Sequence, residues 1–239
     1  MSRPQPKTAN SRPLWGVKHV RCLWHGIARH PEIAFDAMRG LGLRRDTWRR
    51  FSLKIHGRDF LSDLYAASRE IGISPFLMWG TLLGCVREGG FLANDLDLDV
   101  GILYSDYLKK DALVSAMEQR GYIVRYDAPH KLSLVRPDHF LKLDIDVFYP
   151  WNGRMICAAM HHGRVIGASF PPNAFDEFQE VRFVEDLIVL IPASPERALE
   201  SAYGDWRTPA PKYDSSGDLL NRLRLAPDQP VPELPRPAP

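Results

Sequence analysis

Three features of this chain predict a mixed α/β domain. Asp95 to Leu103 alternates acidic with aliphatic residues, which is the period of a β-strand. Arg58 to Ile71 places Phe60, Leu61, Leu64, Tyr65 and Ala67 on one helical stripe, and Gly72 follows where a helix cap belongs. Three more strand-like segments, at 122–126, 131–136 and 141–149, follow a second helical stretch.

In chain order, residues 1–13 are polar, contain three prolines and are expected to be disordered. From Leu14 to Arg50, Val17, Val20, Leu23, Trp24 and Ile27 recur at helical spacing, and Pro31, Gly40 and Gly42 interrupt them. This segment reads as a basic helical extension, 14–50, of two or three short helices. The ordered body is expected over 51–215. Ser74 to Trp79 suits a short buried strand, and Thr81 to Glu88 a brief helix ended by Gly89-Gly90. Ser105 is a candidate cap for a helix running to Gln119 and closed by Gly121. Val181 to Phe183 and Leu187 to Ile191 suggest a hairpin around Glu185-Asp186. Ser194-Pro195-Glu196 combines a capping serine, a first-turn proline and an acid, so a helix should start there and end near Gly204. Residues 216–239 read as a Pro-rich tail, because six of the last fourteen residues are proline.

Composition narrows the class. A hydrophobic share of 45% and a charged share of 25% suit an ordinary globular protein. No apolar run reaches the ~18 residues of a membrane span, and the N-terminus lacks a signal core, so a cytoplasmic protein is expected. Cys22, Cys85 and Cys157 are scattered without a CxxC, which argues against structural zinc or a disulfide framework. His161-His162 reads as loop or surface. The net charge of +2 hides an asymmetry, because residues 1–58 hold thirteen Lys/Arg against three acids. Such a segment can dock on an anionic membrane, here through residues 14–58, or offset the acidic body. No aromatic-interleaved basic motif accompanies it, so no nucleic-acid partner is expected.

The chemistry concentrates in Trp79-Gly-Thr-Leu-Leu-Gly-Cys-Val-Arg-Glu-Gly-Gly-Phe-Leu-Ala-Asn-Asp-Leu-Asp-Leu-Asp-Val100. A continuous strand would put Asp95, Asp97 and Asp99 on one face, with neighbouring Cα atoms about 6.7 Å apart. Two carboxylates 4 Å apart repel by roughly 4 kcal/mol at an effective dielectric of 20, so a proton or a divalent cation must relieve them. A solvated acidic edge strand would leave the preceding glycines and the acids at 144 and 146 unexplained. Asp144 and Asp146 share one face of the 141–149 segment and can complete the cluster as metal ligand or general base. Gly80-Thr81, at a helix start after a strand, suits a phosphate.

Gly80-Thr-Leu-Leu-Gly84, Arg87, Gly90-Phe91 and the Asp-rich stretch resemble the LicD/fukutin family of the nucleotidyltransferase superfamily. Asp146-Val-Phe148, Val189 to Pro192, Pro195-Glu196 and Tyr203-Gly-Asp-Trp206 with Pro209 extend the resemblance over about 57–213. It implies a polymerase-β-like nucleotidyltransferase fold, a mixed sheet flanked by helices, with 51–215 as the catalytic domain. It further implies Mg²⁺ (or Mn²⁺) on Asp97 and Asp99, with Asp95 assisting and Asp146 as third acid. The superfamily spacing would instead pair Asp95 with Asp97. Leu96 replaces an acid common in the family's run, and Ala93-Asn94 stand where Pro-Trp is usual.

The implied activity moves phosphocholine or an alditol phosphate from a CDP-linked donor to a hydroxyl of a cell-surface glycan, free or lipid-linked, as in lipopolysaccharide or capsule biosynthesis. Gly80, Thr81, Arg87 and Asp144 are the expected substrate-binding residues, although Arg87 can equally pair with Glu88. Lys131 and Lys142 can neutralise phosphate or be solvated. Trp79 reads as core, whereas Trp206 and Tyr203 can line a pocket or pack a helix end. Ordinary nucleotidyl transfer with pyrophosphate release, and a non-catalytic binding protein on the same fold, are the alternatives.

Overall fold

Helix α1, Arg45–Ile71, opens the body in the computed structural model, which describes residues 45–128, 130–139, 141–161, 164–209, 220–223 and 225. It runs unbroken through the 50/51 boundary expected between extension and body. The short helices expected before residue 45 lie outside the described residues. Leu53, Phe60, Leu61 and Leu64 recur at three- to four-residue spacing on α1 and are buried, which fixes the face that packs inward.

Strand β1 is only Phe76–Leu77, shorter than expected, because helix α2, Trp79–Glu88, starts two residues later. Gly89 closes α2 in the left-handed region at φ 66°, where a side chain would be strained. Strand β2 is Leu98–Leu103, so the expected strand over 95–103 begins three residues late. Its pairing with β5, Leu141–Trp151, starts at Leu98 opposite Leu143, and Asp95 turns its Oδ1 onto the amide of Leu96 at 2.9 Å. That local bond diverts the backbone from the sheet ladder.

The helix expected from Ser105 is two pieces, α3 (Tyr104–Tyr107) and α4 (Lys110–Gln119). Leu103 and Lys109 occupy the cap positions without side-chain bonds, so Ser105 caps nothing. Strands β3 (Ile123–Ala128) and β4 (Lys131–Arg136) match the sequence reading closely. The hairpin β6 (Arg154–His161) and β7 (Arg164–Phe170) was not foreseen, and His161 ends its first strand. Strands β8 (Phe178–Arg182) and β9 (Ile188–Pro192) flank a 3-10 turn at Val184–Asp186, the expected hairpin made longer. Helix α5, Pro195–Tyr203, starts after Ser194 and ends at Gly204 as expected, although the serine hydroxyl makes no cap bond.

The sheet runs β3-β4-β5-β2-β1-β9-β8, and β6 and β7 continue from the end of β5. It is mixed: β2 lies parallel to β5 and β1 parallel to β9, while the other pairs are antiparallel. Helices flank it, with Leu98, Val100, Ile102, Leu143, Ile145 and Val147 buried in the shared core. Gly101 lets two aromatic rings close over β2, since a Cβ there would stand 2.5 Å from Phe76 and 2.7 Å from Phe148. Residues 220–223, assigned from sequence to the tail, lie along β7: Ser169 N donates to Asn221 O at 2.8 Å and Leu223 N to Gly167 O at 2.9 Å.

Candidate functional site

The parallel pairing of β2 with β5 sets Asp99 opposite Asp144 and Gly101 opposite Asp146. On its other side β5 meets β4, which sets Lys131 opposite Asp146 and Ser133 opposite Asp144. Acids on two central strands are therefore faced by a lysine and a serine on a third.

Helix α2 is stitched to β2 at its first turn. Thr81 Oγ1 accepts the amide of Asp99 at 2.9 Å, and Met78 N donates to Asp99 O at 3.1 Å. The Thr81 hydroxyl is buried, so it positions β2 instead of standing open to a substrate. Gly80 makes room for an acid: a Cβ there would lie 2.6 Å from Asp95 Oδ2. Asp95 thus reaches the cluster because residue 80 has no side chain, not through strand pleating.

The charges are unevenly matched. Lys131 Nζ lies 2.6 Å from Asp144 Oδ2 and 3.6 Å from Asp146 Oδ1. Lys142 Nζ bridges Asp144 Oδ2 at 2.7 Å and Asp97 Oδ2 at 2.9 Å. From α1, Arg49 Nη2 reaches the same Asp97 oxygen at 3.3 Å. Ser133 donates its hydroxyl to Asp144 Oδ1 at 2.7 Å, and Trp79 donates its indole N–H to Asp146 Oδ2 at 2.6 Å. Five carboxyl groups thus meet three cations, which leaves two of them without a counter-ion. No ion pair is found at Asp95 or Asp99 among the described residues, and Asp95 Oδ2 is buried without a hydrogen-bond partner.

The proton affinities follow this division. Burial, with repulsion from Asp97, pushes Asp95 up to about 6. Burial also pushes Asp99 well up, and Asp97, Asp95 and Asp144 add to the effect. Burial raises Asp146 as well, with Lys131 and the Trp79 indole opposing. Burial would raise Asp144 too, but Lys131 and Lys142 outweigh it and hold that carboxyl below its ordinary value.

Asp95, Asp97, Asp99, Asp144, Asp146, Gly80 and Thr81 are therefore brought together. Arg87 is not: at the far end of α2 it donates to Trp206 O at 3.2 Å and pairs with Glu88 at 2.9 Å. As the side chains stand, no three His, Cys, Asp or Glu among the described residues converge closely enough to hold an ion. Lys142 and Arg49 occupy Asp97 instead. Sequence reasoning missed Trp79, Ser133 and Arg49 as site residues, and left Lys131 and Lys142 between phosphate and solvent. The alternation of Lys131 with Ser133, opposite Asp144 and Asp146, was the available signal, but it needs the β4–β5 register to be seen.

A mixed sheet flanked by helices, with a helix start opposed to clustered strand carboxylates, defines the class of a nucleotidyltransferase-type domain. The family model for the LicD/FKTN/FKRP nucleotidyltransferase domain matches residues 72–193, and the chain belongs to that family. Mouse ribitol-5-phosphate transferase FKTN is 26% identical over 162 residues, covering 61% of this chain and 32% of that protein. An uncharacterized Rickettsia prowazekii protein, RP689, is 32% identical over 72 residues, covering 30% of this chain and 27% of that protein. The chain thus spans about a third or less of these relatives. Among solved structures, ANT(2″)-Ia with adenylyl-2″-tobramycin superposes at TM-score 0.44 and 13% identity, over 67% of this chain and 82% of that one. The lincosamide adenylyltransferase LnuA with lincomycin superposes at 0.40 and 15%, over 58% and 82%.

Proposed function

We propose that this chain transfers a phosphorylated group, of phosphocholine or alditol phosphate type, from a CDP-linked donor to a hydroxyl of a cell-surface glycan. Family membership and the name of the FKTN relative support the reaction class. The observation that carries the reading is the pair of uncompensated acids, Asp95 and Asp99, at the first turn of α2.

Those acids fit a hard divalent cation. The donors are all oxygens, two of the five carboxyl groups have no counter-ion, and Asp95 Oδ2 is buried with no partner. Asp95, Asp97 and Asp99 would hold Mg²⁺ or Mn²⁺, with Asp146 beside them, and the ion would supply charge neutralisation at the phosphate oxygens. Asp97 becomes available as Lys142 and Arg49 turn to the donor's phosphates, whose charge they can also meet. The amide groups at the start of α2, with Gly80 allowing close approach, suit the same phosphates.

Asp146 is the candidate base. Burial raises its proton affinity, and Trp79 and Lys131 fix its orientation. It would take the proton from the acceptor hydroxyl as that oxygen attacks the distal phosphorus. The bond from that phosphorus to the bridging oxygen breaks, and CMP leaves with the electron pair.

The test is incubation with a panel of CDP-linked donors, a glycan acceptor and Mg²⁺, following release of CMP. One donor should give CMP, and Asp97→Asn should abolish turnover with the fold intact. CMP from no donor, pyrophosphate release from CTP, or full activity in Asp97→Asn would each contradict the proposal.

A further inference from the structure

Helix α1 carries two different faces at its N-terminal half. Leu53 is 1% exposed and, with Phe60 and Leu64, marks the inward side. At 3.6 residues per turn, Arg49 falls on that side too, and its guanidinium contacts Asp97. The opposite side holds Phe51, 54% exposed, and Ile55, 50% exposed, two of the most exposed large hydrophobic residues among those described. Arg50 and Lys54 line one edge of this apolar pair, both exposed and without an ion pair among the described residues. Arg58, one turn further, is paired with Asp59 and with Glu185, each at 3.3 Å. Asp46 is the only other acid in this half of the helix.

We propose that this outward face, formed by Arg50, Phe51, Lys54 and Ile55, seats the protein on an anionic membrane surface. Alternating cations and bulky apolar side chains on one helical face match a headgroup region, which takes the rings and methyls while anionic lipids meet the charges. A protein partner fits less well. Two half-exposed side chains offer far less than the ~800 Å² per partner of a stable interface, and a second copy would bring like charge against like. The surrounding sequence reinforces the sign, since residues 1–58 hold thirteen Lys/Arg against three acids. No described helix is long and apolar enough to cross a membrane, and the contact proposed here is with the surface. Because Arg49 and Phe51 fall about 160° apart around the helix at 3.6 residues per turn, the apolar part of the docking face and the carboxylate cluster lie on opposite sides of one helix, about 10 Å thick. A membrane-borne acceptor would then be held close to the cluster. The docking itself stands on the α1 surface and does not depend on the reaction proposed above.

The test uses the full chain and sedimentation with lipid vesicles. The protein should pellet with phosphatidylglycerol-containing vesicles at low salt, stay in solution with pure phosphatidylcholine, and be released by high salt. The paired variants Phe51→Ser/Ile55→Ser and Arg50→Glu/Lys54→Glu should each partition about tenfold or more weakly, with unchanged circular dichroism and melting. These positions are exposed and outside the carboxylate cluster, so activity on a soluble acceptor should not change. Failure of the unaltered chain to pellet with anionic vesicles at low salt would overturn the proposal. Parent-like binding by both variants would place attachment elsewhere and overturn it equally. A dimer that the Phe51/Ile55 variant converts to monomer, without vesicle binding by the parent, would assign the face to a second copy.

Discussion

Trp79 illustrates how much of this site depends on single side chains. Its backbone sits at φ 48°, a left-handed conformation that is strained for a bulky residue. The indole repays that strain locally by donating to buried Asp146 and packing 5.6 Å from Phe170. Trp79→Phe keeps the ring and removes the donor, leaving a buried carboxylate oxygen unsatisfied. Urea unfolding should show a loss of roughly 1–3 kcal/mol, and an unchanged midpoint and slope would mean that the bond contributes nothing. From sequence, Trp79 read as core, and it is half so. Its second role depends on β5 being placed two strands away from β1, which no local pattern encodes. Asp95, Asp97, Asp99, Asp144 and Asp146 were legible, because acids in that density have no comfortable structural use. What was not legible is how Asp95 arrives: it needs the empty space over Gly80, not a strand face.

At the scale of elements, the β4–β5 pair converts a repulsive acid cluster into one that can fold. Asp144 Oδ2 takes ion pairs from Lys131 and Lys142 together, at 2.6 and 2.7 Å. Lys142→Met removes one cation and leaves Asp97 with Arg49 alone. Lys142 is 30% exposed and Lys131 remains, so the loss of stability in the metal-free chain should be about 1–3 kcal/mol, below that of breaking a fully buried pair. The same change adds a net negative charge to the cluster and should tighten divalent-ion binding. Calorimetric titration with Mn²⁺ checks the second half, and weaker binding in Lys142→Met would count against the cluster as the ion's seat. Sequence periodicity located β3, β4, β5, β8, β9 and α5, whose patterns are local. It lengthened β2 and overlooked β6–β7, because strand length depends on where a partner's pairing begins. Alternation continues through Asp95 and Asp97, but β5 offers its first partner only opposite Leu98.

Across the whole molecule, the mixed sheet, the α2 start and the family match at residues 72–193 agree on one domain type. The resemblance was legible because Gly80-Thr-Leu-Leu-Gly84 and the acids lie within one short stretch. The arrangement of cations was not, since Arg49 comes from α1, Lys131 from β4 and Lys142 from β5. On the proposed function, two uncompensated carboxyl groups, Asp95 and Asp99, would make the cluster a seat for a divalent cation. Ion binding to the folded chain alone stabilises it by RT ln(1 + [ion]/Kd), about 2.7 kcal/mol at a hundredfold excess over Kd. The direct measurement is thermal unfolding of the full chain against Mg²⁺ and Mn²⁺, with and without CDP, for the parent and for Asp95→Asn and Asp99→Asn. A melting temperature that rises with ion in the parent and much less in either variant is the expected result. A parent melting curve that does not move up to millimolar ion, with CDP present or absent, would contradict the account.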